Sequence, residues 1–398
     1  MITSSPHTAH SNGLMPGDRL ADFDFDAHNA EVREMWAAYH AGNPYRTPVI
    51  AGTSTRFFLF NPGANPAKLE FKDYIENPDV MFDAQLRFQR WRRFNLLQDQ
   101  ELGLPDKWMV TVDFQNFAES AFFGCAVEYI NGEVPDTMPA FGDAPERIME
   151  GGIPNPFGGI MAKALSHFEH FKKRAARETF LGRPIEVKYG VWTDGPFTIA
   201  CNLFGPDVAC LMMAEEPDRM NALLDFITAA TIDRIRAWCG VFEMAAPQPG
   251  LAYADDSVAM ISTEMCREFI VPQHRKFCAA FGDSGPRNIH LCGDSTRHFA
   301  MLRDELNIRG FDTGFPVNFG RLRQELGPQV NIQGGPHIEM MLSSTPERIR
   351  AEVRRIMESG VLEGGLFTLR EGNNLAPGTP LENVEAMYHA GREFGLRR

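Results

Sequence analysis

The residues best suited to chemistry lie in one segment, Pro286–Ser295, where Ile289 and Leu291 predict the end of a short buried strand. Within it, His290 and Cys292 are two residues apart, so on a strand their side chains point the same way. Gly293 and Asp294 then end the strand with turn chemistry. Zinc prefers nitrogen and sulfur ligands, and a catalytic zinc takes about three from the protein and keeps one position open. The pair therefore indicates part of a zinc site; the alternative is a buried histidine and a buried free cysteine without metal.

Acidic side chains follow two other predicted strands. Trp108–Val112 is followed by Asp113, and the strand that contains Tyr253 is followed by Asp255 and Asp256. A carboxylate just past a barrel strand is a candidate catalytic residue, and the alternative is a turn or helix-capping residue. Because adjacent residues point opposite ways, we expect only one of Asp255 and Asp256 to face the site, where it would orient a ligand, position substrate or transfer a proton. Tyr253 is expected to line the same pocket.

The elements that must position these residues alternate between strands and helices. The predicted strands are 47–52, 108–112, 187–192, 251–254, one ending at 292, 311–314, 330–335 and 366–371. This pattern predicts an α/β fold with a parallel sheet. About eight strand–helix units fit a (β/α)8 TIM-type barrel, whose sites lie at the carboxyl ends of the strands. The rival is a doubly wound sheet, but the common dinucleotide and phosphate fingerprints are absent from the sequence.

The N-terminal segment differs from the rest of the chain. Residues 1–25 are polar without a hydrophobic period and predict a tail or arm. Asp26–His40 predicts an amphipathic helix, because its apolar side chains recur at helical spacing. We therefore divide the chain into an N-terminal tail and helix, residues 1–45, and a barrel, residues 46–398.

The composition excludes several classes of function. The 398 residues carry a net charge of −13, which argues against a nucleic-acid surface because such a surface needs clustered Lys and Arg. Seven cysteines without a Cys-x-x-Cys pair indicate a reducing compartment rather than a disulfide framework. The N-terminus has neither a basic start nor an apolar core, and the most apolar region, Phe197–Met213, is interrupted. We expect a cytoplasmic protein without signal peptide or membrane span.

Several short motifs resemble those of a known family. They are Asp194–Phe197 with its Gly-Pro-Phe, the acid-rich turn and helix of Asp255–Pro272, the His-x-Cys-Gly of His290–Asp294, Gln333–Pro336, and Gly372–Val384 with its Ala-Pro-Gly-Thr-Pro. Their order resembles the uroporphyrinogen decarboxylase superfamily, especially its cobalamin-dependent methyltransferase and O-demethylase branch. The resemblance covers residues 45–395 and implies a TIM-type barrel. It also implies a methyl group moving to or from the cobalt of a corrinoid, held by a partner protein or free.

The same resemblance implies a zinc ion held by the His and Cys of His-x-Cys and by a further Cys near the last strand. This chain has Asn373 at that third position. Glu371, two residues earlier, would point the same way if the strand continues, so the expected ligands are His290, Cys292 and Glu371. The alternative for Glu371 is a carboxylate bonded to an arginine or to backbone at the barrel mouth. Asn373 and His337, which follows the predicted seventh strand, are expected to bind substrate.

These observations predict a zinc-dependent methyltransferase acting between a small substrate, for example a methyl ether, and a corrinoid (cobalamin). A carboxylate ligand leaves zinc more Lewis acidic than a second thiolate, which suits activation of an ether oxygen. The expected partners are a small-molecule methyl donor or acceptor and a separate corrinoid protein, and a homodimer is expected by family resemblance. One alternative is a decarboxylase or lyase on the same barrel, although Arg56 stands alone where that branch has an Arg-x-Ala-Gly-Arg clamp. The other is a non-catalytic corrinoid- or tetrapyrrole-binding barrel.

Overall fold

The computed structural model describes residues 13–188, 193–244, 252–281, 285 and 287–397. The predicted tail residues 1–12 and the predicted strand residues 189–192, 251 and 286 lie outside the described residues. The chain divides into two compact units. The first contains the described residues of 1–112, 168–188 and 334–398, and the second contains those of 113–167 and 189–333.

Strands and helices alternate along the described chain, as the sequence pattern predicts. The helices are α1 (Phe25–His40), α2 (Thr55–Leu59), α3 (Phe71–Glu76), α4 (Pro78–Asn95), α5 (Ala118–Phe122), α6 (Arg147–Glu150), α7 (Gly159–Ala175), α8 (Pro196–Phe204), α9 (Pro206–Glu215), α10 (Pro217–Val241), α11 (Thr263–Met265), α12 (Val271–Phe281), α13 (Phe299–Leu306), α14 (Phe319–Leu326), α15 (Ile338–Ser343), α16 (Pro346–Ile356) and α17 (Leu381–Phe394). The strands are β1 (Trp108–Val110), β2 (Val127–Glu128), β3 (Asp136–Thr137), β4 (Thr179–Phe180), β5 (Arg183–Val187), β6 (Ala252–Ala254), β7 (Arg287–Leu291), β8 (Ile308–Thr313), β9 (Asn331–Gly334) and β10 (Phe367–Leu369).

A parallel sheet organises the second unit, with strand order β6-β7-β8-β9. One row of register partners crosses the sheet as a buried apolar layer: Tyr253, Ile289, Phe311 and Ile332. The next residue of each strand forms a second row: Ala254, His290, Asp312 and Gln333. Because successive side chains on a strand point to opposite faces, the second row lies on the other side of the sheet from the apolar layer. The predicted strand pattern thus gives His290 and Asp312 a shared face.

The first unit contains shorter strand pairings. β1 and β5 are parallel, and β4 pairs with β5 in the antiparallel sense. Val49, within the predicted first strand, pairs in parallel with Leu369 of β10, and both side chains are buried. Beyond β1, the Gln85 side chain from α4 accepts a hydrogen bond from the Thr111 N–H at 2.9 Å and donates to the Thr111 carbonyl at 2.6 Å. A buried side-chain amide thereby completes the backbone hydrogen bonding at the strand end.

Charged side chains connect the N-terminal helix α1 to the rest of the first unit. Arg46 is 2% exposed and donates to Asp99 at 2.5 and 2.9 Å, and to Glu31 of α1 at 3.0 and 3.1 Å. Arg392 of α17 donates to both oxygens of Glu31 at 2.7 and 2.8 Å. Buried charges need such paired partners, because an isolated ion loses its hydration on burial.

Two helices begin at residues that commonly start helices. The Ser262 side chain accepts a hydrogen bond from the Met265 N–H at the start of α11, and Pro346 occupies the first turn of α16 after Thr345. Among the described residues, no single helix is long and apolar enough to cross a membrane; α8 and α9 pass by length and composition when taken together, and they are bent by 110° at their junction.

Candidate metal centre

Strand β7 and the turn after it place His290 and Cys292. Ile289 and Leu291 are buried, whereas the His290 side chain is 26% exposed, so the strand alternates between an apolar face and a polar one. Gly314, just after β8, packs on the Cys292 backbone, because a Cβ at position 314 would meet Cys292 Cα at 2.6 Å. The turn that carries the thiol is therefore held by a close backbone contact with the neighbouring strand.

Asp256 brings a carboxylate to this pair. Its Oδ1 accepts a hydrogen bond from the Cys292 N–H at 2.7 Å and lies 3.7 Å from His290 Nε2. One ligand atom from each of Asp256, His290 and Cys292 lies within 4.8 Å of the other two. A tetrahedral zinc holds its ligands at about 2.0–2.3 Å, which separates two ligand atoms by roughly 3.3–3.8 Å. The three side chains therefore have the donor chemistry for zinc, and the 3.7 Å between Asp256 Oδ1 and His290 Nε2 falls in this range.

Asp312 contacts the other nitrogen of the His290 ring. His290 Nδ1 lies 2.9 Å from Asp312 Oδ2, and the two residues are register partners on β7 and β8. With Nδ1–H donated to this carboxylate, the lone pair is on Nε2, which faces Asp256. Metal-binding histidines usually donate their other N–H in this way. Sequence reasoning missed Asp312; the available signal was its place at the end of the predicted strand 311–314.

The local environment keeps the Cys292 thiol protonated. Burial, and after it the neighbouring Asp256 carboxylate, raises the pKa of Cys292 to about 12. At neutral pH the proton therefore stays on Sγ as long as no cation is bound nearby. A cation such as zinc would reverse this preference, because it binds the thiolate and offsets the negative charge of Asp256.

Asp255 and Asp256 point in different directions, as expected for adjacent residues. The Asp256 side chain is 32% exposed and faces His290 and Cys292. Asp255 is 0% exposed, and its carboxylate is bound by Thr198 and His274. Of the two carboxylates that the sequence offered as catalytic groups, Asp256 is the one that lies beside the candidate ligands.

Tyr253 lies in a packed aromatic cluster of the second unit. It is 1% exposed, and its ring meets His274 edge to face with ring centroids 4.9 Å apart and Phe277 with centroids 5.9 Å apart. Burial raises the pKa of Tyr253 well above its ordinary value, so the phenol stays neutral. Its expected contribution to substrate binding stays a prediction.

A second set of buried carboxyl groups lies in the same unit. Asp194 is 2% exposed and Glu119 is 3% exposed, and Arg234 Nη2 lies 3.3 Å from Glu119 Oε1. Burial, and after it the negative charges of Glu119, Asp256 and Asp255, raises the pKa of Asp194 to about 9. Asp194 therefore keeps its proton at neutral pH, which limits the negative charge around Asp256. The Gly-Pro-Phe motif marked the position of Asp194 but gave no sign of this burial.

Glu371 belongs to a cluster in the first unit. It is 0% exposed, and its two oxygens lie 2.9 and 3.1 Å from the Gly52 nitrogen, whose N–H they accept. Arg370 Nη2 lies 3.4 Å from Oε1. Burial raises the pKa of Glu371 to about 8 against the lowering effect of Arg370. These contacts match the alternative drawn from the sequence, a carboxylate bonded to arginine and backbone, and the metal-binding role of Glu371 stays a prediction.

The two other predicted substrate-binding residues also lie in the first unit. Asn373 has a φ of 95°, which is uncommon outside glycine, and its carbonyl accepts a hydrogen bond from Arg370 Nη2 at 2.7 Å. His337 pairs with Gly372, and its Nδ1 accepts the Glu339 N–H at 3.0 Å at the start of α15. Both residues follow strands, as predicted, and their roles in binding substrate stay predictions.

Comparison with known proteins finds a family model that matches most of the chain and curated relatives that match about half of it. Residues 33–394 match the family model for uroporphyrinogen decarboxylase (URO-D). The methylated-thiol–coenzyme M methyltransferase of Methanosarcina mazei is 31% identical over 207 residues, which are 51% of this chain and 52% of that protein. The uroporphyrinogen decarboxylase of Geobacter metallireducens is 26% identical over 52% of this chain and 60% of that protein. The methylcobamide:CoM methyltransferase MtaA of Methanosarcina barkeri is 27% identical over 50% of this chain and 57% of that protein.

The matches therefore span between half and three-fifths of the length of these curated relatives. A solved structure, described as a methyltransferase from Methanosarcina mazei, resembles the chain with a TM-score of 0.61 at 20% identity, covering 91% of this chain and 98% of that one. At this identity the likeness shows the fold alone, and it confirms the predicted TIM-type barrel. The family model and the motifs agree, and the chain belongs to the uroporphyrinogen decarboxylase family.

Proposed function

We propose that this protein is a zinc-dependent methyltransferase that moves a methyl group between a small substrate and a corrinoid. The observation that carries the proposal is the group of Asp256, His290 and Cys292, whose ligand atoms lie within 4.8 Å of one another. The names of two relatives support it, since both are methyltransferases and one acts with methylcobamide, a methylated corrinoid.

His290, Cys292 and a carboxylate would hold the zinc and leave one position for substrate. The contacts of Asp256 favour it as that carboxylate, while Glu371 remains the candidate that the sequence suggested. When bound, zinc would supply a Lewis acid that polarises the substrate atom attached to the methyl group. This set has one thiolate, and a carboxylate donates less electron density than a second thiolate. The centre therefore suits the hard oxygen of a methyl ether.

Two further residues of the second unit would orient a ligand of this centre and limit its negative charge. Asp312 fixes the His290 ring by its contact with Nδ1, so that Nε2 is available as a ligand atom. Asp194 holds a proton on its carboxyl group at neutral pH and so does not add a full negative charge beside Asp256. Assistance to proton transfer, which the sequence assigned to Asp255 or Asp256, is the alternative use of the Asp256 carboxylate.

The proposed substrates are a small methyl donor or acceptor and a corrinoid that is free or carried by a separate protein. A methyl ether is the substrate class that the carboxylate ligand favours, and a methylated thiol is the class named in the Methanosarcina mazei relative. A homodimer and a cytoplasmic location complete the proposal and come from family resemblance and from cysteine usage. The absence of a nucleic-acid partner comes from the acidic net charge of −13, and the absence of a membrane partner from the interrupted apolar region Phe197–Met213.

The test combines metal analysis with methyl transfer. Elemental mass spectrometry of the purified protein should find about one zinc per chain, since the three donors form one site. The zinc-loaded protein should then transfer the methyl group of a methyl ether to cob(I)alamin and release the protonated alcohol, or transfer the methyl group of methylcobalamin to that alcohol in the reverse direction. The corrinoid absorption spectrum follows both reactions. Absence of zinc after reconstitution would contradict the proposal. The match to a uroporphyrinogen decarboxylase favours decarboxylation as the second candidate; release of carbon dioxide from uroporphyrinogen without any need for metal would establish it instead.

A further inference from the structure

The carboxylate of Asp255 is enclosed by hydrogen-bond donors within the second unit. Its Oδ1 accepts hydrogen bonds from the Thr198 N–H at 2.8 Å and from the Thr198 hydroxyl at 2.9 Å. Its Oδ2 lies 2.8 Å from His274 Nε2, in a contact where the two side chains are 0% and 1% exposed. A buried carboxylate with both oxygens engaged in this way is held in one orientation.

The local sequence explains why Thr198 needs this partner. Helix α8 begins at Pro196 after Gly195, which has no side chain to accept the free N–H groups of the first turn. Asp255 supplies the missing acceptor from the end of β6, and the positive end of the helix favours its negative charge. A Cβ at position 195 would lie 2.3 Å from Asp255 Oδ2, so glycine at this position makes room for the carboxylate.

The same threonine also holds the residue on the other side of Asp256. Thr198 Oγ1 accepts a hydrogen bond from the Ser257 N–H at 3.0 Å while it donates to Asp255 Oδ1. One hydroxyl therefore bridges Asp255 and Ser257, the two chain neighbours of Asp256. Between these two fixed points, the Asp256 carboxylate reaches the Cys292 N–H at 2.7 Å.

We propose that Thr198, Asp255 and His274 form a positioning clamp that holds Asp256 in place to bind the metal together with His290 and Cys292. Asp255 is then a positioning residue, and its two oxygens serve Thr198 and His274. The inference rests on the proposed function in one respect, the presence of a metal at Asp256. Partners that orient a metal ligand typically change metal affinity 10- to 100-fold when they are removed.

The experiment measures cobalt(II) binding, with cobalt(II) standing in for zinc because its absorption spectrum reports thiolate coordination and coordination geometry. Thr198→Val removes the bridging hydroxyl and keeps the shape of the side chain, and Thr198→Ser restores the hydroxyl. We expect Thr198→Val to weaken cobalt(II) binding about 10- to 100-fold in chelator competition, and Thr198→Ser to bind nearly as tightly as the unaltered protein. His274→Leu, which acts on the other oxygen of Asp255, gives an independent second measurement with the same expected direction.

Thr228→Val is the matched control. Thr228 is a buried threonine of α10 whose hydroxyl donates to Leu224 O at 2.7 Å and lies 3.0 Å from Gln273 Oε1, whereas the described partners of the Asp255 carboxylate are Thr198 and His274. If Thr198→Val binds cobalt(II) as tightly as the unaltered protein, the clamp is overturned and the proposed function stands. The same holds if Thr228→Val loses as much cobalt(II) affinity as Thr198→Val. If the unaltered protein binds no cobalt(II) or zinc, the metal centre of the proposed function fails and the clamp fails with it.

Discussion

The carboxylates of Asp256 and Glu371 differ in solvent exposure and in how fully hydrogen-bond donors engage their oxygens. In the second unit, the Asp256 side chain is 32% exposed, and it lies beside an imidazole and a thiol that are also partly exposed. In the first unit, Glu371 is 0% exposed, and both its oxygens accept the Gly52 N–H beside the Arg370 guanidinium. The family motif alone could not separate a ligand from a structural acid; the contacts of each carboxylate favour Asp256 as a candidate ligand, and the metal-binding role of Glu371 stays a prediction.

The difference has a physical basis. A metal ligand must be deprotonated when it binds, and the ion needs a path by which to reach it. A carboxylate buried among backbone N–H groups has already lost its water and uses its lone pairs to satisfy the chain. The comparison predicts that substitutions in the cluster of the second unit change metal affinity. Substitutions around Glu371 in the first unit should change mainly the unfolding free energy.

The largest effect is expected for Cys292→Ala. Loss of the thiolate should lower zinc affinity by more than about 100-fold, since even the partners that surround a ligand contribute 10- to 100-fold. Cys278→Ala is the matched control, because Cys278 is a buried free cysteine of α12 in the same unit. Chelator competition followed by elemental mass spectrometry measures both. Equal zinc binding by the Cys292 and Cys278 variants would remove the thiol from the metal centre.

Asp256→Asn and Glu371→Gln form the direct contrast between the two clusters. We expect Asp256→Asn to weaken zinc binding at least 10-fold, because a neutral amide is a poorer ligand than a carboxylate. Glu371→Gln should leave zinc affinity unchanged, since an amide oxygen can still accept the Gly52 N–H. The opposite result, with affinity lost in Glu371→Gln and kept in Asp256→Asn, would make Glu371 the third ligand and restore the assignment made from the sequence.

Gly52→Ala should destabilise the first unit without changing zinc affinity. A Cβ at position 52 would lie 2.1 Å from Glu371 Oε1, and overpacking of this kind costs about 1–3 kcal/mol of unfolding free energy. The control is Gly240→Ala in α10, where a Cβ meets nothing within 4 Å. Alanine in a helix should raise the unfolding free energy there by at most about 1 kcal/mol. Urea unfolding measures the two variants, and a neutral Gly52→Ala would show that the Glu371 cluster can relax.

The buried Glu371 should also make the stability of the protein depend on pH. The pKa of Glu371 in the folded chain is about 8, above the ordinary 4.5. Between pH 4.5 and pH 8 the folded chain therefore keeps a proton on Glu371 that the unfolded chain has released. The unfolding free energy should therefore decrease as the pH rises from 4.5 to 8 and then level off. Glu371→Gln should lack this slope in urea unfolding at a series of pH values. A slope in the unaltered protein that disappears on adding zinc would instead indicate that Glu371 binds the ion.

Local sequence rules predicted much of what positions the centre. The alternation of apolar and polar residues placed His290 and Cys292 on one side at the end of a strand, because side-chain direction on a strand has a period of two. The Ser262 cap of α11 and the proline that follows Thr345 at the start of α16 are likewise local features. Each of these features depends on residues a few positions apart, so a single sequence contains them.

Long-range contacts decided the rest. Asp255 and Asp256 are chemically identical neighbours, and what distinguishes them is Thr198, 57 positions away, and His274, 19 positions away. The contact of Asp312 with His290 likewise depends on the register of β7 against β8. Which residues of β7 and β8 become partners, and which charged groups become buried, depends on packing between segments that are far apart in the sequence.

The salt bridges of Arg46 bear on how the protein could be shortened. A version trimmed to begin at residue 46 would keep this buried guanidinium and Asp99, but it would discard Glu31, which also holds Arg392. Two cations of the first unit would lose a shared anion, and the apolar surface under α1 would meet solvent. Purification tags and fusion partners are therefore better joined before α1, and a library that varies the N-terminal segment should leave Glu31 unchanged.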